Sequence, residues 1–256
     1  MQIGLSPCPN DTYIFYALVH GIITKDIVFE PLFEDVETLN NMAFEDKLPI
    51  TKLSFNAYFK VQSAYQLLDA GAALGQGCGP LLIAKQATEL SANATVAIPG
   101  EHTTAHLLLN IFYPNIRNKI IKSFNRIEDM VIGNEADAGV IIHENRFTYA
   151  ERGLSKIDDL GERWERETQC LLPLGGIFIQ SKYKNEKKEI SNLIKKSIEY
   201  AHKNTEETLQ FCKKYAQEME VSIMKKHIDL YVNKYTLSLG DDGKKAIEKL
   251  KSMAGY

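Results

Sequence analysis

The chain has 256 residues, 45% of them apolar and 25% charged, with a net charge of −3. That balance describes a soluble globular protein able to bury a sizeable core, and it excludes the basic field of a nucleic-acid binder. The sequence holds no apolar run of about 18 residues, which excludes a membrane-spanning helix.

Residues 2–6 read as a strand, followed by the turn Pro7-Cys8-Pro9. Asn10 or Asp11 is placed to cap a helix that runs to about Val19 and stops at His20-Gly21. Residues 28–33 predict a strand, 37–44 a helix and 50–53 a short strand. Ser54 then opens a helix with Phe55, Tyr58 and Phe59 on one face. Strands at 65–68 and 81–85 flank a segment containing Gly71, Gly75, Gly77 and Gly79. Its glycine spacing fits neither a dinucleotide fingerprint nor a P-loop, so it reads as a turn that brings backbone close to a ligand.

A second set follows, with a strand at 95–98, a helix from Thr103 to about Tyr113, a strand at 120–124 and a helix at 127–131. The apolar run 138–142 is a strand that ends at His143. From about Lys184 onward the pattern is amphipathic helix rich in Lys and Glu, read as solvated helix faces. Two strand–helix sets with a late return to helices predict a two-lobed α/β fold with a ligand cleft between the lobes. The expected larger lobe is 1–85 plus 180–256 and the smaller 86–179, with crossovers near 82–88 and 175–181.

Cys8, Cys78, Cys170 and Cys212 are scattered and form no C-x-x-C pair, which predicts free thiols in a reducing compartment. The N-terminal run lacks a basic region, an apolar core and a lipidation cysteine, so a cytoplasmic protein is expected.

Three strand-to-helix turns carry hydroxyls or amides suited to an anion: Ser6 to Thr12, Thr51-Lys52-Leu53-Ser54, and Pro99 to Ala105 with Thr103 and Thr104. Helix starts present unpaired N–H groups and the positive end of the helix dipole. Each turn alone is also an ordinary cap; facing one another across a cleft, two of them would bracket a carboxylate. Cys8 beside a helix start has no basic partner in its sequence neighbourhood. His102 and His106 stand at i and i+4 without the Glu or third ligand of a zinc motif. His143, delivered to the carboxyl end of a strand, has the residue type suited to taking and returning a proton at neutral pH. The same placement also suits a purely structural histidine.

Taken together, Ser-Pro-Cys-Pro-Asn-Asp-Thr at 6–12, Leu-Val-His-Gly at 18–21, Glu-Asp-Val-Glu-Thr-Leu-Asn at 34–40, Thr-Lys-Leu-Ser at 51–54, Pro-Gly-Glu-His-Thr-Thr-Ala at 99–105 and Ile-Ile-His-Glu-Asn-Arg-Phe-Thr-Tyr at 141–149 closely resemble the 1,4-dihydroxy-6-naphthoate synthase family of the futalosine route to menaquinone. The resemblance implies a type II periplasmic-binding-protein fold used as an enzyme. It implies a carbon–carbon lyase that converts cyclic dehypoxanthinyl futalosine to 1,4-dihydroxy-6-naphthoate, with no metal or redox cofactor. By position, His143 would be the general base, while Lys52, Leu53, Ser54, Thr104 and Ala105 would line the substrate site and Asp11 would lie in the same pocket. The substrate carboxylate would then meet the helix starts at Ser54 and Thr103-Thr104.

Fold alone favours a second class, a solute binder or sensor that holds a small carboxylate without chemistry. No nucleic-acid or membrane partner is expected, and the helix-rich C-terminal third is compatible with a homodimer.

Overall fold

A computed structural model describes residues 1–216 and 220–256. In chain order it runs β1 (Gln2–Leu5), α1 (Pro9–Val19), β2 (Glu30–Phe33), α2 (Val36–Phe44), β3 (Ile50–Ser54), α3 (Phe55–Tyr58), β4 (Tyr65–Leu67), β5 (Ala73–Gly75) and β6 (Leu81–Ala84). It continues through β7 (Thr95–Ile98), α4 (Thr104–Phe112), β8 (Asn118–Ile121), α5 (Ile127–Ile132), β9 (Ala138–Ile141), α6 (Asn145–Thr148), β10 (Ser155–Asp159), α7 (Leu160–Thr168) and β11 (Leu172–Gln180). The remaining elements are helical: α8 (Lys187–Lys203), α9 (Thr205–Cys212), α10 (Val221–Tyr231), α11 (Lys234–Leu237) and α12 (Gly240–Met253). The expected C-terminal helical region is therefore present; residues 217–219 within it lie outside the described residues.

The strands form two sheets. The first has the order β2-β1-β3-β11-β4, with β5 also on β11. In it β1 runs parallel to β2 and β3, whereas β11 is antiparallel to β3, β4 and β5. The second has the order β10-β6-β9-β7-β8, with β7 parallel to β8 and β9. Helix α1 is buried along almost its whole length, from Pro9 to Leu18. It lies between the first sheet and α8, α9 and α10, which explains why it is apolar nearly all round. Helix α8 presents Ile190, Leu193, Ile194, Ile198 and Ala201 to it on a single stripe and gives Lys188, Lys196 and Lys203 to solvent.

The pairings correct the expected boundaries. Strand β6 pairs with β9 and β10 in the second sheet, so the chain has already crossed by Leu81, and it returns before Leu172. The first crossing is made by the glycine-rich segment, ahead of the expected crossover at 82–88. There Gly79 packs on the backbone of Gly161, where a Cβ would come within 2.3 Å of the Gly161 Cα. Strand β11 was also hidden, because Pro173, Gly175 and Gly176 are poor strand residues. Burial overrides that preference, since Leu172, Ile177, Phe178 and Ile179 are all fully buried.

Candidate active site

Where the sheets face each other the chain leaves about 650 Å³ of empty space, continuous with solvent and mostly apolar in its lining. Both sheets contribute walls. Ser6, Asn10, Lys52 and Ser54 come from the first, with Leu174 and Gly175 on β11; the start of α4 and the turn after β9 come from the second. Helix α10 closes another side with His227 and Tyr231. The two halves are bonded to each other beside the cavity. Glu37 on α2 accepts the His102 amide at 2.9 and 3.1 Å, and Asn56 Nδ2 donates to the Thr103 carbonyl at 3.2 Å.

One side of the cavity is rich in hydrogen-bond donors, each held from behind. Asp11 is completely buried and accepts from Lys52 Nζ at 2.8 Å, Asn10 Nδ2 at 2.8 Å, Ser6 Oγ at 2.7 Å and the Ser6 amide at 3.2 Å. This saturates the carboxylate and fixes Lys52, which needs such a partner because it is only 6% exposed. Asn40 holds Ser54 from two directions. Its Oδ1 accepts the Ser54 amide at 3.0 Å and its Nδ2 donates to Ser54 Oγ at 3.2 Å, which leaves the hydroxyl proton for an acceptor in the cavity. Thr103 is the N-cap of α4, its Oγ1 accepting from the His106 amide at 3.2 Å, and Thr104 Oγ1 donates to the Leu174 carbonyl at 2.7 Å. The amides of Thr104 and Ala105 come too early in α4 to bond within the helix, so they are available to an anion.

The other side carries two histidines. His143 follows β9 in a left-handed backbone conformation, φ 59°, which is uncommon for a residue with a side chain. Its Nδ1 lies 3.3 Å from Cys8 Sγ, and its ring meets the edge of Phe124 at 5.0 Å between centroids. Burial pushes the His143 ring down to about 4; the Asp11 carboxylate opposes this and the Lys52 ammonium adds to it. The ring is therefore neutral at physiological pH and able to accept a proton. Burial also raises the Cys8 thiol well above its usual range, with the Glu144 charge acting in the same direction, so Cys8 is a neutral thiol and not a thiolate nucleophile. His227 is fully buried and neutral, its ring 6.3 Å from that of His143.

Of the residues predicted from sequence, His143, Lys52, Ser54, Thr103, Thr104 and Ala105 all line this one cavity. Asp11 does not line it but stands behind Lys52; it serves as that buried partner and not as a helix cap, because α1 begins at Pro9 with Cys8 in the cap position. Leu53 is fully buried in the hydrophobic core and does not line the cavity, as expected from the alternation of side chains along β3 between Lys52 and Ser54. The absent basic neighbour of Cys8 is His143, 135 positions away. His102 and His106 do not converge: His102 Nδ1 faces Lys60 Nζ at 3.1 Å and His106 Nδ1 the Glu101 carbonyl at 2.8 Å. Sequence reading missed His227, Tyr231 and Cys78. A signal existed, since His227 stands on the apolar stripe Ile223, Met224, Ile228 and Tyr231 of an amphipathic helix.

The whole chain, residues 1–256, matches a family model described as menaquinone biosynthesis. A 1,4-dihydroxy-6-naphtoate synthase from Thermus thermophilus is 41% identical over 251 residues, covering 98% of this chain and 92% of that protein. A crystal structure of a protein from Archaeoglobus fulgidus superimposes with a TM-score of 0.93 at 33% identity, covering 99% of this chain and 96% of the other. At the level of fold alone, a Candida albicans protein described as having the generic periplasmic binding protein fold matches with a TM-score of 0.69 at 13% identity, covering 100% of this chain and 90% of the other. The two-sheet architecture is thus of the periplasmic-binding-protein type.

Proposed function

The chain belongs to the menaquinone-biosynthesis family, and from that premise we propose that it is a carbon–carbon lyase forming 1,4-dihydroxy-6-naphthoate from cyclic dehypoxanthinyl futalosine. The observation that carries the chemical part is a neutral, partly buried His143 at the end of β9, facing the cavity into which the donors of Lys52, Ser54, Thr104 and Ala105 also open.

The substrate carboxylate lies against those donors: the Ser54 hydroxyl proton and the early α4 amides of Thr104 and Ala105 are left for it, and the Lys52 ammonium has protons beyond the one given to Asp11, with Asp11, Asn40 and Thr103 orienting the set. His143 takes the proton of a hydroxyl on the sugar-derived part; the freed oxygen pair closes to a carbonyl there as the carbon–carbon bond breaks, and the proton held on His143 is returned to the product. The electron pair of that bond stays in the forming naphthoate framework, and aromatisation of its second ring drives the step. The tautomer with the proton on Nδ1, donated to Cys8 Sγ, leaves the Nε2 lone pair for this task. A base at about 4 is weak for neutral pH, and an anionic substrate in the cavity raises it towards the effective range. The mostly apolar lining of the cavity strengthens the electrostatic interactions made at the reacting centre. We place the protein in the cytoplasm, a reading supported by four free cysteines; among the described residues no helix is long and apolar enough to cross a membrane.

Incubation with cyclic dehypoxanthinyl futalosine, followed by absorbance and mass of the naphthoate, tests the reading. Product is expected from the wild type, and His143→Ala is expected to lose about 100- to 10,000-fold in turnover. Near-normal turnover in His143→Ala would overturn the base assignment. Saturable binding without product would move the chain to the class of non-catalytic carboxylate binders.

A further inference from the structure

His227 is the anomaly of the cavity. Its side chain is fully buried, it lines the cavity, and neither Nδ1 nor Nε2 has a hydrogen-bond partner among the described residues. Buried polar atoms in folded proteins are nearly always paired, because an unpaired one forfeits its hydration without return. A histidine kept for packing would have been satisfied, as its neighbour Tyr231 is, whose hydroxyl donates to the Cys78 carbonyl at 3.0 Å. The cavity that His227 lines is the side from which a partner can reach it.

The chemistry of the missing partner follows from the ring. A neutral imidazole offers one N–H donor and one lone pair, the complement of a hydroxyl, which also donates once and accepts. Burial keeps His227 neutral, and the nearby positive groups Lys52 and Arg146 act in the same direction, which disfavours the imidazolium that a second carboxylate would call for. Among the described residues no three side chains are grouped as metal ligands, so a cation is a poor fit. Position narrows the choice further. The His227 ring is 6.3 Å from that of His143, so it meets the part of the ligand that lies at the base.

We propose that His227 hydrogen-bonds a hydroxyl of the sugar-derived part of the substrate and holds that part beside His143. This rests on the lyase reading given above. His227 is thus a specificity-determining residue that discriminates substrate from product, because the released naphthoate no longer carries the fragment His227 holds.

The test compares His227→Phe and His227→Gln with the wild type, measuring melting temperature, kcat/KM for cyclic dehypoxanthinyl futalosine, and Kd for 1,4-dihydroxy-6-naphthoate. His227→Phe is expected to melt at or above the wild-type temperature, since two unpaired nitrogens are removed, and to lose about 10- to 100-fold in kcat/KM. Product affinity is expected to stay within about twofold, and His227→Gln, which retains a donor and an acceptor, to recover part of the loss. If phenylalanine does not fit, His227→Met carries the same comparison. Unchanged kcat/KM in an active wild-type background, an equal loss of product affinity, or a lowered melting temperature in every variant would each overturn the proposal. A wild type that makes no product would instead sink the lyase reading, and this assignment with it.

Discussion

The side of the cavity built on β3 and α4 and the side built on α10 are furnished in opposite ways. On the first, Asp11, Asn40 and Thr103 hold Lys52, Ser54 and the start of α4 through hydrogen bonds of 2.8 to 3.2 Å, so the donors are fixed before any ligand arrives. On the second, His227 is enclosed with neither ring nitrogen paired among the described residues. The contrast teaches that one set of polar groups contributes both to the fold and to binding, whereas the other costs the fold something and serves only the ligand. Groups of the first kind reveal themselves on substitution as lost stability, and groups of the second kind as lost activity.

The sharpest way to break this comparison is Asp11→Ala. It leaves the Lys52 ammonium buried without its counter-charge, and a loss of about 3–5 kcal/mol in unfolding free energy is expected by urea denaturation. A change below about 1 kcal/mol would show that the donor side is not held as described.

A pH series sharpens the other half. The folded-state value of His143 is depressed to about 4 against 6.5 for an ordinary ring, so the unfolded chain binds its proton first as pH falls. Stability is then full above about pH 6.5 and declines towards pH 4 at up to about 1.4 kcal/mol per pH unit for this residue, about 3 kcal/mol in all. His227 is depressed for the same reason and adds to the slope in the same direction. Chemical denaturation between pH 7 and 4.5 is expected to give a shallower decline for His143→Ala; an identical decline would mean that the ring is not held neutral by the fold.

The smallest effect is expected from Thr104→Val. It removes the donor to the Leu174 carbonyl and costs about 1–2 kcal/mol, read as a lower denaturation midpoint, while the backbone amides at the helix start remain.

These contrasts bear on what was legible in the sequence. His143 stood out because an apolar strand ends on it, and Ser54, Thr103 and Thr104 because strand-to-helix turns have a recognisable composition. Such signals are local. Asp11 looked like a cap because its partner Lys52 is 41 positions away, and the contact of Cys8 with His143 spans 135. Leu53 was assigned to the site with its neighbours, but strand alternation turns its side chain to the core. His227 blended into an apolar helix stripe, where its polarity becomes informative only once the absence of partners is seen. The early crossing to the second sheet was obscured for a related reason, since it depends on the backbone contact of Gly79 with Gly161 and not on a run of linker residues.

The position of β11 also shapes the order in which the chain can assemble. This strand lies between β3 and β4, yet it is made of residues 172–180, after every strand of the second sheet. During synthesis, β1 to β4 therefore emerge with the middle of their sheet missing and the inner edge of β3 unpaired. The second sheet, whose strands run from Leu81 to Asp159, has all its members available sooner. Folding on the ribosome is expected to complete the later-encoded half first, with the earlier half waiting, its apolar β3 edge exposed, until Gln180 has been added.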